Sequence, residues 1–238
     1  MAQIKTSTEI HKVKKACTIT DEIFRLVIKH IKKHKSIHTS AVYTITEIEL
    51  RDFIVSEIQK RGLEPSFPPI VTSGKRAGND IHPTPTDKKL TGFVIIDFGV
   101  VYEKYMSDMT RTIYVGSPTT EEHELYTTVF KAYKTGISNA CVGTKCAYVD
   151  AMSRVSLGSY AKYFIHMLGH GVGKKIHENP KIYHKIINHI LKENMIITIE
   201  PGIYIKNKCG LRIEDTCCIT PQGCVPLTMS PKKLIVLK

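Results

Sequence analysis

No apolar run in this sequence reaches the ~18 residues that a membrane-spanning helix needs. The N-terminus, MAQIKTSTEIHKVKK, is polar and basic and has no apolar core of the kind a secretory signal carries. These two absences lead to the expectation of a cytoplasmic protein with no membrane partner. The seven cysteines (Cys17, Cys141, Cys146, Cys209, Cys217, Cys218 and Cys224) form no CxxC pair, and their number is odd. This argues against a disulfide framework and against a thiolate zinc site. Reduced thiols, mostly buried in strands, are expected instead. The net charge is +12, yet there is no arginine cluster and no ladder of aromatics interleaved with basic residues. The basic residues are mostly lysines scattered along KVKK, KHIKKHK and the pairs at 88–89, 174–175 and 232–233. A solvated lysine-rich surface is the expectation, and a nucleic-acid partner is not. No low-complexity linker divides the chain.

What is present is ordinary for a globular protein: 238 residues, 42% apolar and 24% charged, enough for a sizeable core. Thr6 and Glu9 have capping-box spacing, and Ile10, Val13, Ile23, Val27 and Ile31 follow at near-helical intervals. A long helix to about His34 is expected, with a bend near Thr18–Thr20. Thr44 and Glu47 repeat the capping spacing ahead of a second helix, EIELRDFIVSEIQKR, which Gly62 and Pro65 end. A Pro- and Gly-rich loop with a short strand, PIV, follows. FVIID and TRTIYV read as strands around a turn. A third helix opens after Pro118, and a fourth runs near Ala147–Tyr160. HKIINHILKEN reads as a short helix or turn. MIITIE, GLRIEDTCCIT and the closing KKLIVLK read as strands.

There is an internal echo. VIIDFGVVYEKYMSDMTRTIYV has a counterpart in IITIEPGIYIKNKCGLRIEDTCCI. Each is an apolar strand ending in an acid, a turn with Tyr and Lys, and a second acid-bearing strand. Helices precede each unit, as in two related α/β halves with a site between them. Four acids, Asp97, Asp108, Glu200 and Glu214, thus sit on apolar strands. Buried together they would repel strongly unless cations neutralised them. Two divalent ions are the simple solution, and carboxylate–histidine ligation suits Mn, Co, Fe or Zn. Histidines 166, 170 and 177 lie close in IHMLGHGVGKKIHENP, where the glycines allow close backbone approach.

DFG…SDMTRT, HMLGHGVG…HE, TIEPGIY and LRIEDT resemble the signature segments of the pita-bread metallopeptidases, in particular the Xaa-Pro branch of prolidases and aminopeptidases P. The resemblance runs from about residue 4 to the C-terminus and includes IKTSTEIHKVKKACTITDEIF. It implies a mixed α/β (α+β) pita-bread fold: two halves related by a pseudo-twofold axis, with antiparallel sheet and flanking helices. It also implies one catalytic domain over residues 1–238, without the family's N-terminal domain. That missing domain leaves oligomeric state and substrate length undetermined. The implied metal ligands are Asp97, Asp108, His170, Glu200 and Glu214, holding two divalent ions, Mn²⁺ first, with Co²⁺, Zn²⁺ or Fe²⁺ as alternatives. A metal-bridging hydroxide is the implied nucleophile. Glu200, His177 and His166 are the implied catalytic side chains. His82, His166 and Arg212 are the implied contacts to short proline-containing peptides. Arg212 has an equally weighted alternative, anchoring Glu214 by a charge-assisted bond. His123, His184 and His189 read as surface residues.

Two departures from the family pattern, Asn194 in place of a frequent glycine and the segment DIHPTP, lie outside the implied ligands. The resemblance therefore implies a dimetal exopeptidase cleaving before proline. Methionine aminopeptidase is the nearer rival, although SDMTRT and LRIEDT fit the Xaa-Pro branch. A non-catalytic pita-bread module binding protein or nucleic acid is the rival of another class, and the charge is its support. A creatinase-like hydrolase is disfavoured because that branch dispenses with metals.

Overall fold

A computed structural model describes residues 4–36 and 43–238. Its first part runs α1 (Ser7–Lys33), α2 (Glu47–Gln59), β1 (Glu64–Pro65), β2 (Ile70–Ser73), β3 (Gly92–Phe98), β4 (Val100–Tyr102), β5 (Tyr105–Met106) and β6 (Met109–Val115). The second runs α3 (Thr120–Asn139), α4 (Cys146–Leu157), β7 (Gly169–Gly171), β8 (Glu178–Ile182), β9 (Ile196–Ile199), β10 (Gly202–Ile205), β11 (Cys209–Arg212), β12 (Asp215–Thr220), β13 (Gly223–Pro226) and β14 (Val236–Leu237). Two helices therefore precede each group of strands, as the echo implied. Among the described residues no helix is long and apolar enough to cross a membrane.

The helix starts follow local chemistry. Thr6, Thr46 and Thr119 each accept an N–H from a glutamate three residues on, and each glutamate reaches back to the cap's own N–H. The second box is Thr46–Glu49, not Thr44–Glu47. Glu47 is fully buried, and its carboxylate accepts from the Ser73 and Thr86 N–H groups, tying α2 to the loop before β3. The first helix is uninterrupted: Thr18 and Thr20 satisfy their hydroxyls on carbonyls one turn back instead of breaking it. Helix α4 stops at Leu157, where Gly158 takes a positive φ of 56° and a 3-10 turn continues to Tyr163. The segment 184–194 forms turns without a helix.

The larger sheets are β14-β6-β3-β2 and β13-β12-β9-β7-β8. In the first, β3 and β6 pair antiparallel, and β14 joins β6 in parallel. In the second, β9 and β12 pair antiparallel. Alternation divides β3. Val94, Ile96 and Phe98 enter one apolar cluster with Ile23, Phe24 and Val27 of α1 and Leu50, Ile54 and Ile58 of α2. Phe93 faces the other way, into a cluster built on α3, α4 and the second sheet. Asp97 shares the parity of Phe93, so the strand that builds one core delivers its carboxylate toward the other. Of the cysteines, 17, 146, 209, 217 and 218 are buried, and none is paired.

Candidate metal centre

The five implied ligands come from both halves. Asp97 is the penultimate residue of β3, Asp108 precedes β6, His170 is the centre of β7, Glu200 follows β9, and Glu214 lies between β11 and β12. Close packing around His170 requires its flanking glycines. A Cβ at Gly169 would sit 2.0 Å from the Thr198 carbonyl oxygen, and one at Gly171 would sit 2.3 Å from that of Asn179. The glycine-rich motif is thus what lets β7 slot between β8 and β9.

Ligand atoms of Asp108, His170 and Glu214 lie within 4.8 Å of one another, and all three residues are buried. His170 Nε2 is 3.6 Å from Asp108 Oδ2 and 3.3 Å from Glu200 Oε1. Its Nδ1 lies 3.1 Å from the Gly171 carbonyl. With the proton on Nδ1, that contact leaves the Nε2 lone pair aimed at the acids. One Asp97 oxygen accepts from Arg212 at 2.6 Å, and the other is buried with no hydrogen-bond partner among the described residues. A buried unpartnered carboxylate oxygen is costly and calls for a cation.

Charge in the metal-free cluster is poorly tolerated. Burial, and then the negative charge of Asp97, pushes Asp108 well above the usual carboxylate range. Burial, and then Asp108, does the same to Glu214. Burial also raises Asp97, against the pull of Arg212. Burial would raise Glu200 too, but the bond and charge of His170 win and hold it down at about 2. Burial opposes a proton on His170, yet Glu200 and Asp108 lift it to about 9. In this state His170 is the cluster's local cation. An oxygen-rich donor set with one imidazole, short of positive charge, fits hard or borderline divalent ions.

The site floors a cavity of 420 Å³ walled by Phe67, Pro68, Ile81 and Ile176, with His82, His166 and His177 on its lining. His82 is exposed, and its N–H is turned back to Asp80. His177 stacks edge-on to His170, with ring centroids 4.3 Å apart, and has no hydrogen-bond partner among the described residues. Burial, and then the charge of His170, lowers its basicity. His166 is satisfied on both nitrogens. Nδ1 meets the Met167 carbonyl at 2.8 Å, and Nε2 meets the Tyr204 hydroxyl at 3.1 Å. Since Arg212 donates to that hydroxyl at 2.6 Å, the Tyr204 proton points to His166 and the ring is neutral. Burial, the main cause, brings His166 down to about 4.

Arg212 anchors Asp97 rather than Glu214. It reaches Glu214 only through Thr110, whose hydroxyl accepts from Arg212 at 2.9 Å and donates to Glu214 at 2.7 Å. Tyr204, Thr110 and Thr198 were not legible as site residues. Thr198 accepts from the His170 N–H and donates to Glu200. Arg154 was also missed. It grips the Phe164 and His166 carbonyls and both oxygens of the fully buried Asp150, so it sets the loop that carries His166. His184, read as a surface residue, is exposed but hydrogen-bonded to the same Asp150 at 2.6 Å. His123 is exposed, and His189 is partly buried and accepts the Lys181 N–H.

The profile of metallopeptidase family M24 matches residues 11–221. The chain belongs to metallopeptidase family M24. It is 39% identical over 237 residues to a Xaa-Pro dipeptidase of Pyrococcus furiosus, covering 98% of this chain and 65% of that protein. The crystal structure of the prolidase from Pyrococcus horikoshii OT3 superposes with a TM-score of 0.88 at 37% identity, covering 98% of this chain and 65% of that one. The N-terminal domain of the FACT complex subunit SPT16 from chickpea gives the same TM-score at 18% identity, covering 99% of this chain and 61% of that one, which is a likeness of fold alone. The M24 chain described here thus spans about 65% of the length of the curated relatives it matches. Its pita-bread architecture is that of the prolidases. Asn194, the departure from glycine, has φ 64°, a left-handed conformation that asparagine tolerates better than other side chains.

Proposed function

We propose that residues 1–238 form one catalytic domain of a cytoplasmic, metal-dependent exopeptidase that hydrolyses the bond before proline in Xaa-Pro dipeptides or short peptides. The observation that carries the reading is the cluster of buried Asp97, Asp108, His170 and Glu214 with partly buried Glu200, short of positive charge and open to a cavity. These five side chains would hold two divalent ions, Mn²⁺ first. Such ions supply Lewis-acid activation of water and of the scissile carbonyl.

The chain's own groups have separable tasks. Glu200, oriented by the Thr198 hydroxyl, would take a proton from the attacking water and return it to the leaving nitrogen. His177, with its ring nitrogens unengaged, donates to the developing oxyanion. Tyr204 and Met167 hold His166 neutral against the cavity, where it shapes the proline side with His82. Arg212 orients Asp97 through a short charge-assisted bond.

The test is hydrolysis with added Mn²⁺ or Co²⁺ of an Xaa-Pro dipeptide, an Xaa-Pro tripeptide and a Met-Ala peptide. Cleavage only before proline is expected. Cleavage after methionine moves the chain to the initiator-methionine branch. Failure to cleave any peptide with metal bound favours a binding module.

A further inference from the structure

The candidate site opens sideways into a second cavity of 530 Å³, which shares Met167, His170 and His177 with the first. Lysines dominate its wall: Lys174, Lys175 and Lys181, all exposed. Their placement follows from the sheet. Lys181 of β8 lies directly opposite His170 of β7 in the register of the two strands. Directly opposed residues project from the same face, so Lys181 leaves the sheet on the side where His170 meets the acids. Lys175 sits in the turn that joins these strands, its backbone fixed by an N–H to Glu178 Oε1 at 3.1 Å and a carbonyl bond from Gly173.

The cations of this wall are not all equivalent. The Lys174 ammonium lies over the Tyr105 ring at 5.5 Å. The acid on the wall, Glu178, is held by the buried Lys5 at 2.6 Å. Lys175 and Lys181 make no salt bridge among the described residues. Two ammonium groups without acid partners therefore flank the mouth of a site whose floor is carboxylate. A neutral ligand in this cleft gains nothing from them, whereas an anionic one meets both.

We propose that Lys175 and Lys181 form an anion-receiving wall that selects peptides carrying a carboxylate beside the reacting residues, from an acidic side chain or from a chain terminus. The proposal deepens the peptidase reading and takes its substrate class from it, but binding to the wall does not require cleavage. The two cations lie to one side of the carboxylate cluster, so the selected group occupies the His177 side of the cleft while the scissile bond stays over the acids.

The experiment uses Ala-Pro-Glu and Ala-Pro-Gln, each with a free or an amidated C-terminus, and the Mn²⁺-loaded protein. It reads kcat/KM for the peptides and Kd for matched analogues with a reduced, uncleavable scissile bond. A free carboxylate is expected to improve both quantities about fivefold, ~1 kcal/mol, as for one partly exposed ion pair. In Lys175→Gln/Lys181→Gln the acid-to-neutral ratio falls to about one. In Lys175→Glu/Lys181→Glu it inverts, and in wild type it shrinks with added salt. A preference that survives amidation assigns the wall to an acidic side chain, and one lost on amidation assigns it to the terminus. A ratio near one in wild type, or a ratio unchanged in the double glutamine variant, overturns the proposal. Binding preference without cleavage upholds the wall and defeats the peptidase reading, and cleavage without preference does the reverse.

Discussion

Two buried charge clusters lie side by side in this chain, built from consecutive residues. Thr110 reaches Glu214 in the candidate metal centre, and the next residue, Arg111, reaches Asp215, the next residue after Glu214. Asp215 is fully buried yet satisfied. It accepts from Arg111 at 2.6 Å, from Thr228 at 2.6 Å and from Tyr133, with Lys232 at 3.0 Å. Arg111 completes the arrangement on the Glu214 and Ser230 carbonyls. Across the strands, Asp108 has His170 at 3.6 Å, a cation shared with Glu200, Glu214 makes no salt bridge among the described residues, and both acids are driven toward the protonated form. A buried acid supplied with cations and donors by its own chain is a structural brace. One left short is a candidate binding site.

The largest expected effect breaks the metal-centre side. Asp108→Asn should lower kcat/KM about a thousandfold or more, ~4 kcal/mol in barrier. It should leave the metal-free protein no less stable than wild type, because burial already drives this carboxyl toward its neutral form. Peptidase assays and urea denaturation of the two proteins read this, and full activity in the variant would sink the ligand assignment. Arg111→Ala attacks the brace instead. It strands Asp215 without its main buried cation and should cost about 3 kcal/mol of stability or more, read as a drop in the denaturation midpoint. A loss below ~1 kcal/mol would mean that Asp215 is not braced as described.

Metal and pH sharpen the contrast. Asp108 and Glu214 have folded pKa values above their unfolded ones, so their contribution to stability is present below about pH 4 and is lost as pH rises through the folded values. His170, raised to about 9, contributes below its ordinary value near 6.5 and loses that contribution as pH rises through about 9. Glu200, lowered to about 2, contributes above its usual range and is lost only as pH falls toward 2. Between pH 5 and 9 the site therefore makes the metal-free protein less stable as pH rises. Mn²⁺ should reverse the trend, because protons and metal compete for the same groups. At ten times its Kd the ion adds ~1.4 kcal/mol. Melting curves at pH 5.5 and 8, with and without Mn²⁺, should show the larger metal shift at pH 8, and equal shifts would count against the cluster as the metal site. The smallest effect belongs to Lys232→Ala. This partly exposed partner of Asp215 should cost under about 1 kcal/mol, against the several of Arg111, in the same denaturation assay.

Legibility followed how local each cause was. The cap at Thr6 and the four acids of the candidate centre stood in the linear pattern, because alternation and residue type reported them, whereas His170 was singled out among three histidines by the family resemblance. The capping box was misplaced by two residues at Thr44. Two threonines there have a glutamate three residues on, and only packing sends Glu47 inward to Ser73 and Thr86. Glu214 and Asp215 look alike in LRIEDT, and what separates them is the presence of Arg111 on one side only. Of the two roles open to Arg212, substrate contact and anchoring Glu214, the anchoring partner shifted to Asp97 for a similar reason: two residues along the chain lie closer in sequence than the true partner 115 residues away.

By itself the sequence determined the two-halved α/β plan, the cap of the first helix and the donor types of the candidate metal centre, since periodicity, caps and side-chain chemistry act over a few residues. Only the tertiary structure decided which buried acids the chain satisfies and which it leaves for a cation. It also decided that Tyr204 and Arg154 hold His166, and that Lys181 stands opposite His170. Those outcomes depend on groups brought together from distant strands, where burial turns a missing partner into the dominant energy.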